Sequence, residues 1–600
     1  MKRLYLWPLL LVAAYLALYW PGLTAWFHQD DFAWLGLGWQ VGHGMPLTQA
    51  LFAPMTEGTV RVLSERLYFV LLYSLFGLHA LPYRMVVFAT LAASLFPLAS
   101  LTRRLTGSRA AGICAAVLWA VNTALATPLS WSSAYNQVLC AFFVLAGLWL
   151  LFKYLDTGRR RYYAAQWLAL LLGVGASEFM IVYPVAAVLL VVVLYRRLPR
   201  SVLALFLPSV VFIALHVLVL KPPAAGPYAM HWDARIFSTF WTYWSWSLGP
   251  GQVEWFERMS APLAAWLTVA LTIPLLAFVW VQARRRELLP LALLIWYPLW
   301  LAPILTLPDH IIEYFPLLGS IGLAILGSWA AVWCWRAGKA YAVLAVCLLA
   351  TYGVTSVIPD WLGTRWHHDQ ASHAKALLQG VARAQTGYPG KTVLVSGVDR
   401  ELFWAGVFDE PFRLLGGGPV YLTPDTPDYW RSRPELGDVS HRYKRPGVEA
   451  VVYDVRTHQV SYAGLPAGAG VIVSLGRESS APHLGEGWYQ AEGTHRWMGQ
   501  RASLTIARPR APGAALRIEG YMPAFILRSG PVRLKVDAGG QPVGATELRQ
   551  ADAPFAVEFP LPPSLAGDGE MRVTLEVGRA VRPPGDDRDL GLAVSSVSVR

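Results

Sequence analysis

Leu67-Tyr68-Phe69-Val70-Leu71-Leu72-Tyr73-Ser74-Leu75-Phe76-Gly77-Leu78-His79-Ala80-Leu81 is the stretch on which the reading of the chain turns. It is apolar, but at about 15 residues it falls short of the roughly 20 needed to cross ~30 Å of hydrocarbon. Arg61, Glu65, Arg66 and Arg84 flank it closely. These features predict a helix lying along the membrane interface rather than through it. The distinction sets the topology, because a crossing here would move every later basic loop to the opposite side of the bilayer.

On either side of that stretch the chain reads as a series of apolar runs, near residues 4–25, 84–102, 110–128, 137–155, 162–177, 179–195, 201–220, 260–282, 288–307, 312–334 and 340–358. The connections contain Lys2-Arg3, Arg103-Arg104 with Arg109, Lys153 with Arg159-Arg160-Arg161, Arg196-Arg197 with Arg200, Arg284-Arg285-Arg286, and Arg336 with Lys339. All of these lie on the cytoplasmic side if the N-terminus is cytoplasmic and the chain crosses about eleven times. The expected architecture is a polytopic α-helical membrane domain over residues 1–358, with the remainder emerging on the outer face. The run from Leu4 to Trp20 exceeds a usual signal-peptide core, and no small-residue cleavage site follows, so it reads as an uncleaved first span.

Composition agrees with this. Hydrophobic residues make up 55% and charged residues 15%, against about 45–50% and 25% in ordinary globular domains. The 27 tryptophans suit aromatic belts at bilayer interfaces. The net charge of +12 sits in the short basic loops, which argues for topology and against a nucleic-acid partner. Cys114, Cys140, Cys334 and Cys347 all fall inside apolar runs. They offer neither a disulfide framework nor zinc-ligand spacing, and read as small buried hydrophobes.

Chemistry is expected in the outer loops. The first contains Phe27-His28-Gln29-Asp30-Asp31-Phe32, and a later one Trp131-Ser132-Ser133-Ala134-Tyr135-Asn136. A third runs from Lys221 to Arg258, and the last reads Pro308-Asp309-His310-Ile311-Ile312-Glu313-Tyr314. Adjacent carboxylates beside a low-dielectric boundary repel, which raises the pKa of one and poises it as a base. The competing reading is a capped, solvated loop, since Asp is a good N-cap residue. Glu178, between two apolar runs, is costly to place there and so points to function, with helix packing as its alternative. His310 stands between Asp309 and Glu313 and reads either as a phosphate-binding group or as an interfacial residue.

Together these residues resemble the GT-C glycosyltransferases, the superfamily of protein O-mannosyltransferases, aminoarabinose transferases and oligosaccharyltransferases. The matching pieces are Asp30-Asp31, the stretch from Arg66 to Arg84, Arg103-Arg104-Leu105, Ala176-Ser177-Glu178, and His310 through Pro316. The resemblance covers roughly residues 1–358 and implies inverting transfer of a sugar from a polyprenyl-phosphate donor. The acceptor would be a lipid, a glycan or a protein at the outer face of a bacterial inner membrane. It further implies that the first acid of the pair, Asp30, is the general base, with Asp31 and Glu178 in support. Arg61, Arg66, Arg84, Lys221 and His310 are the cations on the correct side to hold the leaving phosphate, and snorkelling interfacial anchors are the alternative for each. Tyr135, Asn136, Glu313 and Tyr314 complete the expected substrate-binding set. The sequence departs from the family in two places. The second outer loop has no Asp, and Glu313-Tyr314 stands where several relatives have Arg-Tyr. A lipid phosphate is already a fair leaving group, so no cofactor is required, and the missing Asp leaves a divalent metal unsupported.

Beyond the membrane domain, residues 359–484 read as an extracytoplasmic α/β segment, with a helix from Asp369 to Gln385 and strands at Thr392–Ser396 and Glu449–Tyr453. Gly416-Gly417-Gly418 lacks the Lys-Ser/Thr of a phosphate loop and reads as a turn. Residues 485–600 read as an all-β sandwich, similar to jelly-roll modules of bacterial polysaccharide glycosyltransferases. Trp488 and Trp497 are its candidate carbohydrate contacts, with core packing as the alternative. Two other readings of the whole chain compete with the enzyme: a transporter or flippase of lipid-linked saccharides, and a non-catalytic sugar-binding assembly protein. Against the transporter, no inverted repeat and no paired broken spans are visible.

Overall fold

A computed structural model describes residues 13–53, 61–219, 226, 228–423, 426, 450–462, 472–476, 478–509, 512–567 and 569–599. The chain divides into two compact units, Met1–Ser372 and His373–Arg600. The break falls inside the long helix Lys339–Gly387. Residues 359–372, expected to open the second domain, therefore belong to the membrane unit, and the expected α/β and β-sandwich segments form a single second unit.

The first unit is helical. Six helices among the described residues are long and apolar enough to cross a membrane: Ala80–Thr106, Ser132–Thr157, Glu178–Tyr195, Ala261–Arg284, Leu317–Ala337 and Lys339–Gly387. Arg109–Ala120 and Thr123–Ser130 form a seventh if the pair, bent by 54°, counts as one span. Arg200–Ala214 and Leu289–Leu301 are shorter apolar helices. Apolar helices thus lie across most of the expected spans, but the count of eleven is not reached among the described residues. Two buried indole N–H groups in this unit find carbonyls: Trp296 donates to Leu318 O at 2.8 Å and Trp119 to Leu317 O at 3.3 Å.

The decisive stretch forms a π-helical turn, Val62–Leu67, running into an α-helix, Tyr68–Phe76. These six and nine residues rise only about 22 Å at 1.5 Å per residue, too little to span the hydrocarbon. Gly77, at φ +54°, ends the helix and separates it from Ala80–Thr106. Tyr68, Phe69, Val70 and Leu72 are buried, whereas Leu71, Leu75 and Phe76 are exposed. The inner face packs on Asp31–Gly42, where Gly38 lets the chain approach the Tyr73 side chain: a Cβ there would lie 2.7 Å from it.

In the second unit, Thr392–Ser396 pairs in parallel with Val420–Leu422 and with Ala450–Asp454, and the latter pairs antiparallel with Gln459–Tyr462. Gly416, at φ +66°, closes the short helix Pro411–Leu415, so the glycine run is a turn. Two antiparallel sheets follow. One orders Gln541–Leu548, Val532–Ala538, Glu570–Val577 and Arg501–Ala507. The other contains Ala553–Pro560, Ala515–Met522, Leu592–Val599, Arg496–Met498 and Trp488–Ala491, with Ile472–Ser474 on Leu592–Val599. Val532, Leu534, Val536 and Ala538 alternate inward, the period of a strand buried on one face.

Candidate functional site

The paired acids are split by one backbone turn. Gln29 adopts φ +52°, a left-handed conformation that a non-glycine residue takes at a cost. The helix Asp31–Gly42 starts immediately afterwards. Asp31 turns inward and is fully buried, while Asp30 lies at the surface. Oδ1 of Asp31 accepts from the Ser133 N–H at 2.8 Å and from the Ser133 hydroxyl at 2.7 Å. Oδ2 accepts from the His28 N–H at 3.4 Å and faces the Arg84 guanidinium at 3.8 Å. Burial pushes the Asp31 carboxyl up to about 6, against the pull of Arg84, Ser133 and the His28 amide. Asp30 occupies the N-cap position of the helix it precedes, and its side chain makes no capping bond there.

Glu178 is clamped. The Val62–Leu67 turn docks on the junction Ala176–Glu178, where the Ser64 hydroxyl donates to Ala176 O at 2.6 Å. Arg61 Nε donates to Glu178 Oε2 at 2.7 Å and Nη2 to Oε1 at 2.5 Å, a two-pronged contact. Arg61 Nη1 also holds Glu65. Arg61 and Glu178 therefore meet at the site but are committed to each other.

Arg66 and Arg84, expected among the phosphate-binding cations, lie within the fold. Both are buried, with guanidiniums on backbone carbonyls: Arg66 on Leu51 O at 3.0 Å and Ala53 O at 2.6 Å, Arg84 on Ala25 O at 3.3 Å and Trp26 O at 2.8 Å. They tie the first outer loop to the helices that follow. Lys221 lies outside the described residues. The His310 ring packs 4.3 Å from Tyr228 and 5.8 Å from Phe315. The Tyr135 hydroxyl pairs with Thr90 at 3.0 Å and its ring lies 4.6 Å from Tyr68. Asn136 is buried with Oδ1 lacking a partner. The Tyr314 ring lies 6.5 Å from that of Trp131 and 5.2 Å from that of Phe315. Burial raises its phenol above the ordinary range, opposed by Arg61 and reinforced by the Glu313 and Asp30 carboxylates.

Reading the sequence missed a chain of groups behind this surface. His28 Nε2 lies 2.9 Å from His367 Nδ1, His367 Nε2 lies 3.1 Å from the Thr127 hydroxyl, and that hydroxyl donates to Glu313 Oε1 at 2.5 Å. Trp131 stacks over His367 with ring centroids 6.4 Å apart. Ser133 was visible in the second loop, but its role as the Asp31 clamp was not. His367 fell within a segment assigned to the soluble domain, and the only available signal was the unusual Trp366-His367-His368-Asp369.

The expected carbohydrate contacts in the sandwich are buried. Trp488 and Trp497 are 4% and 8% exposed. Their indole N–H groups donate to Ser503 O at 2.7 Å and Glu492 Oε2 at 3.1 Å. Both belong to the sandwich core. Among the described residues no three His, Cys, Asp or Glu side chains converge to hold a metal ion. A cavity of about 300 Å³ opens in the membrane unit, lined by apolar side chains including Leu271, Leu275, Phe278, Leu323, Leu344 and Leu348.

No protein-family profile matches the chain, and no curated protein matches it. Solved structures do. ArnT from Cupriavidus metallidurans bound to undecaprenyl phosphate is 16% identical, with a TM-score of 0.38 over 75% of this chain and 90% of that one. The same protein in the apo state is 15% identical, with a TM-score of 0.37 over 69% and 85%. The arabinosyltransferase EmbB from Mycobacterium smegmatis is 12% identical, with a TM-score of 0.29 over 98% of this chain and 64% of its own length. These proteins are GT-C membrane glycosyltransferases, the class the sequence resembles. At such identities and TM-scores the likeness carries no part of the functional reading, which rests on the geometry above.

Proposed function

We propose that this chain is a membrane glycosyltransferase that moves a sugar from a polyprenyl-phosphate-linked donor to a lipid, glycan or protein acceptor on the outer face, with inversion. The observation that carries the reading is the division between adjacent acids. Asp31 is locked inside by Ser133 and Arg84, and Asp30 lies at the surface within electrostatic reach of Tyr314, which also feels Arg61. A surface carboxylate next to a buried one is placed to take the proton of an incoming hydroxyl as the sugar leaves its phosphate. Arg61, already paired with Glu178, lends its positive charge to this region, and His310 and the outer-loop hydroxyls complete the groups proposed to meet the developing phosphate charge.

The test is release of polyprenyl phosphate from a radiolabelled lipid-linked sugar by the purified protein. Asp30→Asn should lower turnover by about 10²–10⁴-fold, the usual cost of losing a general base, while the donor still binds. Near-normal turnover in Asp30→Asn overturns the base assignment. Binding without release identifies a sugar-binding protein, and passage of the intact lipid-linked sugar across vesicles identifies a transporter.

A further inference from the structure

The four groups behind the site form a hydrogen-bonded chain whose direction is set by elementary chemistry. An ionised carboxylate only accepts, so the Thr127 hydroxyl must donate to Glu313. A hydroxyl has one proton, so Thr127 must then accept from His367 Nε2. In a neutral imidazole the other nitrogen is an acceptor, so His367 Nδ1 receives the proton of His28 Nε2. The chain therefore runs one way, from His28 through His367 and Thr127 to Glu313. His28 and His367 are both buried, and His28 Nδ1, the acceptor left over, has no partner. The indole of Trp131 covers the His367 ring nearly in parallel, at 17°.

We propose that His28, His367 and Thr127 are positioning residues for Glu313. They deliver one fixed donor to Glu313 Oε1 and thereby aim the other carboxylate oxygen at the site, where it accepts a hydrogen bond from a hydroxyl of the donor sugar. The inference rests on the glycosyltransferase reading and adds a sugar-recognition group to it. Glu313 is half-buried, and its charge already acts on Tyr314, the residue that also feels Asp30 and Arg61. A carboxylate fixed through one oxygen keeps a single orientation, so it can select a hydroxyl at one place on the sugar ring. Thr127 and His367 come from helices far apart in sequence, and the bonds from Glu313 to Thr127, Thr127 to His367 and His367 to His28 link the last outer loop to the loop of paired acids.

The experiment uses the full-length protein in the same release assay, with a radiolabelled lipid-linked sugar as the probe. Thr127→Val keeps the shape and removes the hydroxyl. It should raise the KM for the lipid-linked sugar about tenfold, the scale of one hydrogen bond to a charged group, and lower kcat much less. Thr127→Ser should restore the wild-type KM, and the double variant Thr127→Val, Glu313→Gln should be no worse than Glu313→Gln alone. A wild-type KM in Thr127→Val, or effects of the two substitutions that simply multiply, overturns the proposal. Should Thr127→Val fail to insert, His367→Leu takes its place with the same expectation and the same overturning results. If the wild-type protein binds the lipid-linked sugar but releases nothing, the glycosyltransferase reading fails while the relay is still tested. The same variants then weaken binding about tenfold or, if they leave it unchanged, refute the relay.

Discussion

The backbone N–H and the hydroxyl of Ser133 close on the same oxygen of Asp31, at 2.8 and 2.7 Å. The second outer loop thus holds the buried acid by two donors that are themselves buried. Removing the acceptor orphans both. Asp31→Ala should cost ~2–4 kcal/mol, the scale of unsatisfied buried donors, and Asp31→Asn, which keeps an acceptor oxygen, much less. Thermal unfolding of the purified protein in lipid nanodiscs compares the two. Equal midpoints for both variants would show that the clamp contributes nothing.

The same carboxyl sets a pH dependence. Asp31 is pushed from 3.8 to about 6 in the folded chain. Between those values the folded protein keeps a proton that the unfolded chain has released, so stability falls as pH rises through this window. The span of about two pH units corresponds to ~3 kcal/mol. Unfolding midpoints measured at about pH 4.5 and pH 7 should differ more in wild type than in Asp31→Asn, where this contribution disappears.

Arg61 and Glu178 should prove energetically coupled. Glu178 is partly exposed, so screening limits the pair to ~1 kcal/mol in a double-mutant cycle with Arg61→Ala and Glu178→Ala. Additive effects would mean that the two-pronged contact is not maintained in the membrane.

Orientation follows from the shortness of the Tyr68–Phe76 helix. Single cysteines near Arg160, Arg197 and Arg285 should label only from the cytoplasmic side, and cysteines near Gln29 and Gly417 only from outside. Outside labelling at Arg103 or Arg104 would mean that the decisive stretch crosses after all.

Truncation should separate two nearby end points. A chain ending after Ser372 retains the whole first unit and should insert with a wild-type labelling pattern. A chain ending after Thr364 loses His367 and with it the bond to His28, so it should bind lipid-linked sugar more weakly than the longer one. Equal binding would show that His367 is dispensable.

The apolar helices and the special status of Leu67–Leu81 were legible because hydropathy and span length depend on local sequence alone. The paired acids were legible as a pair. Which of them faces inward was not, because it depends on the left-handed turn at Gln29 and on Ser133, 102 residues away. That Arg66 and Arg84 reach backbone carbonyls was not legible, because those carbonyls lie in other segments of the chain. The relay was hidden for the same reason: His28 and His367 lie 339 positions apart. In the sandwich, Trp488 and Trp497 are aromatic and near turns, features shared by a sugar platform and a packed core, and only burial distinguishes the two.

The turn at Gln29 also fixes the phase of the helix Asp31–Gly42. Successive residues at a helix start point about 100° apart, so the two acids can never share one environment, and neither can stand in for the other. Inserting one residue between His28 and Asp30 would shift the register, carrying Asp30 into the buried position of Asp31 and Asp31 into the buried position of Phe32, even though both carboxylates remained in the sequence. Such a protein would keep every chemical group and lose the arrangement. The spacing from Phe27 to Phe32, more than the number of acids within it, is what a lineage of this chain has to hold constant.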